Sequence, residues 1–284
     1  SDISAARASG EAPIGIGRLA TRLSGSSDLF SNERGPAASV NFITAHDGFT
    51  AWDLTSYNQK HNLGNGENNR DGTDNNHSFN HGTEGRTDDE TIVTARRKAM
   101  RNLLATLFLS AGTPNVIARV GRSQRGNNNA YCHDDELSWL PWDVEDWQRD
   151  LYAIARAGIR FRLEHSAVRP RDFGAWGESL QTATQMDWYN SSGSSMSIED
   201  WDSPAERTLQ YLAASTHEVD GFNRILLVVH GLEAEEMVTL PEHDGVGAFT
   251  LLFDSAYDWI EQSEHAPGST LTMSPTSMRL FHAH

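Results

Sequence analysis

Apolar and polar positions follow two rhythms along this chain, and the rhythm changes near Val168. Before that point, short apolar runs alternate with long helical patterns. Ser39–Ala45 (SVNFITA) is short, rich in β-branched and aromatic residues, and ends on a polar cluster, which predicts a buried strand. A helix is predicted from near Asp88, with Thr87 and Glu90 as a capping box and Asp88 and Asp89 at the positive end of its dipole. Met100, Leu103, Leu104, Leu107, Phe108 and Ala111 then recur on one face. Gly112 ends that helix, and Thr113-Pro114 leads into a second predicted strand, Asn115–Ala118. A second helix is expected from Asp146 to His165, with Asp143 as N-cap and Trp147, Leu151, Ile154, Gly158 and Phe161 on one side. Strand, helix, strand, helix is a parallel βα pattern. Two such strands alone hold no stable core, so this half should be part of something larger.

After Val168 the pattern becomes short β-like runs: Leu209–Ala213, Arg224–Val229, Met237–Leu240, Ala248–Phe253, Ser269–Met273 and Ser277–Phe281. Asp220-Gly221, Asp244-Gly245 and Pro267-Gly268 punctuate them, predicting an antiparallel β-sandwich. The expected fold class is therefore α/β plus all-β, with domains at 1–168 and 169–284. No repeat of 20 to 50 residues is visible.

Composition narrows the partners. The 284 residues carry 23 Lys plus Arg against 39 Asp plus Glu, a formal charge of −16. Nucleic acid and anionic membranes would need a basic face, whereas a neutral polysaccharide would not. Apolar runs such as Leu103–Leu109 and Ile225–Val229 fall far short of the ~20 residues of a membrane helix. Cys132 stands alone, so no internal disulfide forms and a reducing cytoplasm is the expected compartment. No secretory signal is visible, and Ser1 in place of an initiator Met suggests a processed or cut N-terminus.

The chemistry-bearing residues follow the first strand. In Asn41–Asp47 (NFITAHD), His46 and Asp47 stand where βα enzymes keep their active sites, at a strand's C-terminal end. The alternative is that Asp47 caps a turn and His46 is a satisfied polar residue. Asn58–Gly85 is a long polar loop flanked by Trp52 and Tyr57. Amides and carboxylates satisfy sugar hydroxyls, and aromatic faces pack on pyranose rings, so sugar recognition is one reading and a flexible insertion the other. Gly126–Asp135 (GNNNAYCHDD) is either a structural turn or a binding loop. His77, His81, Asp71 and Asp74 match no metal motif, and there is no nucleophile elbow or phosphate loop. No metal or organic cofactor is expected.

These strings carry a resemblance. Phe42–Gly72 (FITAHDGFTAWDLTSYNQKHNLGNGENNRDG) closely resembles the segment at barrel strand 7 of bacterial glycogen-debranching enzymes, in the isoamylase branch of glycoside hydrolase family 13. Arg101–Pro114 and Gly126–Trp142 are similar to that family's helix 7, strand 8 and following loop, and Ile14–Phe30 to the helix before strand 7. MDWYNSSGSSMSIEDWDSP and ILLVVHGLEAEEMVTLP look like its C-terminal β domain; the likeness is weakest before Ala12 and near Gly174–Thr184.

The resemblance implies a (β/α)8 barrel of which residues 1–168 would supply strands 7 and 8 with helices 6 to 8, followed by a β domain. It implies hydrolysis of α-1,6 branch linkages in glycogen or limit dextrins, together with a missing N-terminal part of the same enzyme. Asp47 matches the carboxylate that stabilises the transition state and His46 a histidine on the same sugar, while Trp52, Tyr57, Asn69, Arg70, Asn127 and Asn128 would bind substrate. Retaining glycosidases need a nucleophile and an acid about 5–5.5 Å apart. In the family both lie on strands without counterpart here, so the chain alone would be inactive. Near strand 8 the family reads Ala-Gly-Asp-Glu-Phe-Gly, whereas this chain reads Ala118-Arg119-Val120-Gly121. The competing readings are a non-catalytic α-glucan-binding or interaction remnant and a trehalose-releasing hydrolase.

Overall fold

The computed structural model describes residues 16–30, 33–115, 121–173, 185–215 and 223–284. The chain divides into two compact units, which interleave in sequence. Among described residues the first comprises 42–107, 115 and 121–157, and the second 16–30, 33–41, 108–114, 158–173, 185–215 and 223–284.

The first unit contains the polar loop and most of helix α2 (Glu90–Leu109), numbered after α1 (Ile16–Leu23). The cap of α2 is Asp89 rather than Thr87: its carboxylate accepts the Thr91 N–H at 2.9 Å, while Thr87 Oγ1 accepts only the Asp89 N–H. A charged acceptor at the dipole's positive end outcompetes a hydroxyl, so the helix starts later than expected. Met100, Leu104 and Leu107 are buried as the periodicity predicts. Helix α3 (Asp146–Glu164) starts where expected, but with a different residue at its entry. Glu145, not Asp143, sits at its entry, with its N–H donating to Gln148 Oε1 at 2.9 Å and its carboxylate accepting from Trp147 Nε1. Leu151, on the predicted apolar face, is buried.

The second unit holds a six-stranded antiparallel sheet of order β3-β4-β5-β10-β7-β8. Its strands are β3 (Gln185–Tyr189), β4 (Thr208–Ser215), β5 (Asn223–His230), β7 (Phe249–Asp254), β8 (Glu264–His265) and β10 (Ser277–Ala283). A two-stranded sheet of β6 (Glu236–Thr239) and β9 (Thr270–Met273) covers one face. Val238, Leu240, Leu271 and Met273 meet Leu212, Leu226, Val228, Phe249 and Phe281 in one core. On the opposite face Trp188 stacks on Tyr211 at 4.3 Å, and Trp201 of the short helix α4 (Ile198–Asp202) meets Trp188 edge-on. Helix α1 and the buried turn Ser166–Val168 also lie against β4, so all eight β4 residues are buried.

All six strands expected after Val168 are present. The turn Asp220-Gly221 lies outside the described residues, as does most of the predicted strand Asn115–Ala118. What forms there is β2 (Thr113–Asn115), paired with β1 (Val40–Phe42) as a two-stranded sheet. Buried strands were expected, but Val40 and Phe42 are 58% and 60% exposed. Among the described residues no third strand flanks the pair, so their apolar side chains stay uncovered. No helix among the described residues is long and apolar enough to cross a membrane.

Candidate functional site

The His46-Asp47 pair follows β1 on a turn that Gly48 closes at φ 86°, a backbone conformation favouring glycine. The Gly48 N–H donates to the Asn128 carbonyl at 2.9 Å. That bond ties the turn to the loop starting at Gly126. His46 Nε2 lies 3.7 Å from Asp47 Oδ2, with side chains 89% and 66% exposed. The carboxylate is thus open to solvent and to any ligand, while the backbone beneath it is held.

What holds it is a set of interlocked amides. Asn62 Nδ2 donates to Asn128 Oδ1 at 2.8 Å, and the Asn128 N–H returns a bond to Asn62 Oδ1 at 3.0 Å. Asn128 Nδ2 then donates to the Thr73 carbonyl and to Asn76 Oδ1. Asn127 Nδ2 donates to Asn65 Oδ1 at 2.6 Å, and Asn65 Nδ2 donates to Asp71 Oδ2. That bond from Asn65, with another from Asn129, holds the Asp71 carboxyl below its ordinary range. Gly72 shows how tight the packing is: a Cβ there would lie 2.2 Å from Asn128 Oδ1. The long polar stretch is therefore no flexible insertion. At its far end Arg96, fully buried, donates to the carbonyls of Asn80, Thr83 and Gly85. Burial pushes the Glu84 carboxyl up, but bonds from the Asn58 N–H, His61, Asn80 and the Gln59 N–H outweigh it and leave it below its usual value.

The expected substrate-binding residues separate into groups. Asn127 and Asn128 are buried, and their side-chain amides are engaged inside the loop rather than presented to solvent. Asn69 also supports the loop, accepting the Asn62 N–H at 2.7 Å and donating to the Lys60 carbonyl. Trp52 packs against Trp147 at 4.6 Å. Tyr57 lies edge-on to His61 at 5.2 Å, and a Cβ at Gly126 would come within 2.6 Å of its ring, one at Gly85 within 3.1 Å. Arg70 stays near the surface with one bond to the Glu67 carbonyl. Of the expected set, His46, Asp47 and Arg70 are exposed.

Sequence reading missed Asp53. It is completely buried, accepting from Ser123 Oγ at 2.6 Å and the Gln124 N–H at 2.7 Å. Burial pushes its carboxyl up to about 6 despite those bonds. Gln124 passes the tie on through Nε2 to the Asn127 carbonyl. A charged residue inside FTAWDLT was the available signal. Beside this network is an open cleft of about 430 Å³, walled by His61, Gln124, Asn127, His133, Asp135 and Glu136. His133 there bonds Asn65 Oδ1 at 2.7 Å and Asp135 at 3.2 Å. Among the described residues no three His, Cys, Asp or Glu side chains converge as a metal would require. Of the departure at Ala118–Gly121, only Gly121 falls among the described residues, packed against Trp147.

No protein-family model matches the chain. The glycogen operon protein GlgX homolog of Mycobacterium tuberculosis (strain ATCC 25618 / H37Rv) is 49% identical over 195 residues, 66% of this chain and 27% of that protein. The glycogen debranching enzyme of Serratia proteamaculans (strain 568) is 42% identical over 235 residues, 81% of this chain and 33% of its own length. The chain thus spans about a third or less of these relatives. Among solved structures, pullulanase type I from Bacillus subtilis str. 168 complexed with maltose superposes with a TM-score of 0.62 at 19% identity, over 95% of this chain and 31% of the other. A pullulanase complexed with maltotetraose from Anoxybacillus sp. LM18-11 gives 0.60 at 19%, over 94% and 30%. At such identities the structures show a shared fold. The sequence identities say more: the chain belongs with the glycogen operon GlgX proteins and glycogen debranching enzymes, of which it represents a C-terminal part.

Proposed function

We propose that this chain is the part of a glycogen-debranching enzyme that grips the glucose ring at the scissile α-1,6 linkage. Its first half would complete a (β/α)8 barrel whose remaining strands carry the nucleophile and the general acid. The observation carrying this reading is the exposed Asp47 carboxylate, set beside His46 on a turn fastened through Gly48 to the amide-locked loop. In hydrolysis the nucleophilic carboxylate attacks the anomeric carbon as the acid protonates the departing oxygen; water then releases the sugar. Asp47 and His46 do neither. They hold hydroxyls of the distorted ring, and those contacts strengthen as positive charge develops at the anomeric centre. The buried asparagines keep this surface from relaxing. The relatives' names and the maltooligosaccharides in the pullulanase titles support a branched α-glucan as substrate. Hydrolysis of that kind needs no organic cofactor, and the single Cys132 suits a reducing cytoplasm.

The test joins this chain to the N-terminal part of the same enzyme and follows new reducing ends from β-limit dextrin. Restored turnover should fall by about 10²–10³ in Asp47→Asn, and the chain by itself should bind glucan without cleaving it. Turnover by the chain alone at an ordinary enzymatic rate would overturn the assignment of roles. Binding without turnover even after joining would favour a non-catalytic glucan-binding remnant.

A further inference from the structure

The second unit carries an exposed aromatic pair outside the residues assigned to the debranching site. Between β7 and β8 the chain reads Ser255-Ala256-Tyr257-Asp258-Trp259-Ile260-Glu261-Gln262-Ser263. Its base is fixed to the sheet. The buried Asp254 carboxylate accepts from Arg279 Nε at 2.7 Å and from the Ala256 N–H at 2.9 Å. Ser255 and Met278 exchange two bonds, Ser255 N–H to the Met278 carbonyl and Met278 N–H to Ser255 Oγ. At the other end the Leu251 N–H donates to the Ser263 carbonyl at 2.8 Å. Ile260 turns inward against the core, but Tyr257 and Trp259 remain 56% and 79% exposed. Among the described residues of this unit they are the only exposed aromatic side chains.

Leaving a Trp in water on a hairpin pinned at both ends forgoes burial that the core could have supplied, so the ring is available to something else. Charge and size narrow what that is. Residues 255–264 contain Asp258, Glu261 and Glu264 and no Lys or Arg, which opposes anionic partners and offers acceptors to hydroxyl groups. Two such rings cover at most roughly 400 Å², well below the ~800 Å² per partner of a stable protein interface. We propose that Tyr257 and Trp259 form an auxiliary platform for a neutral glucose polymer, the rings stacking on pyranose faces while neighbouring carboxylates take hydroxyl hydrogen bonds. The choice of an α-linked polymer rests on the debranching reading; the platform itself does not.

The test is migration of the 284-residue chain in native gels containing glycogen, with hydroxyethyl cellulose in a parallel gel. Glycogen should retard the chain. Tyr257→Ala and Trp259→Ala should each weaken the apparent affinity about tenfold, and Trp259→Phe should restore most of it. Both side chains are exposed, so melting temperatures should not move, which separates lost binding from lost folding. Retardation equal to wild type in the double alanine variant would overturn the proposal, as would a wild-type chain that no glucan retards. Retardation by hydroxyethyl cellulose alone, abolished in Trp259→Ala, would support the platform while counting against the debranching reading.

Discussion

A buried carboxylate has to be answered by donors, and Asp53 is answered by Ser123 and the Gln124 N–H. Desolvation still dominates, holding its pKa at about 6 against an ordinary 3.8. The sign follows from linkage. Between those values the folded state binds more protons than the unfolded one, so the Asp53 contribution to stability falls as pH rises from about 4 to about 6 and is level above. Urea unfolding of wild type and Asp53→Asn across that range should reveal this. Their difference in unfolding free energy should shift against wild type by on the order of 3 kcal/mol from the low to the high end; a pH-independent difference would mean Asp53 does not titrate there. The neighbouring asparagines do not titrate, yet they do comparable work. Asn62 and Asn128 satisfy each other twice, so neither leaves a buried amide wanting. Which Asn of an Asn-rich string turns inward cannot be read from composition, because every one offers the same donors and acceptors. That is why Asn127 and Asn128 read as ligand-facing in sequence and proved to be internal supports.

At the scale of elements, helix ends were the hardest to place. Thr87 and Asp143 fit the capping pattern, but Asp89 and Glu145 occupy the entries. Several polar residues stood close enough to compete, and backbone geometry chose between them. The far end of α2 depends on a contact distant in sequence. Arg162 donates to the buried carbonyls of Phe108, Ser110 and Val168 and to the part-buried carbonyl of Gly112. Desolvation lowers its pKa only to about 10, so at neutral pH it stays charged and faces the negative end of the helix dipole. Arg162→Ala should cost about 3 kcal/mol by stranding those oxygens. Arg162→Lys should recover less than half of that, since an ammonium cannot span the fork. Equal thermal stability of Ala and Lys variants would show that packing, not the hydrogen bonds, is the contribution. Strand β3, absent from the sequence reading, carries a legible alternation in Met186, Asp187 and Trp188. Its brevity and polar ends masked it, and pairing with β4 supplies the hydrogen bonds that make it a strand.

At the scale of the molecule, a charge of −16 and a neutral polymer partner make one more prediction. Retention of the chain by glycogen should be insensitive to raising salt from about 0.05 to about 0.5 M, where an electrostatic contact would be screened. A steep loss with salt would point instead to a charged ligand. By itself the sequence determined the six strands beyond Val168 and the two long helices. Those features are written in local periodicity and short strings, which neighbours along the chain suffice to define. Only the tertiary structure decided which polar residues face inward, that β1 is exposed rather than covered, and that Asp53 lies beneath the loop. Burial depends on contacts made across 60 residues or more, such as Asp53 with Gln124 or Asn62 with Asn128, and no local pattern encodes them.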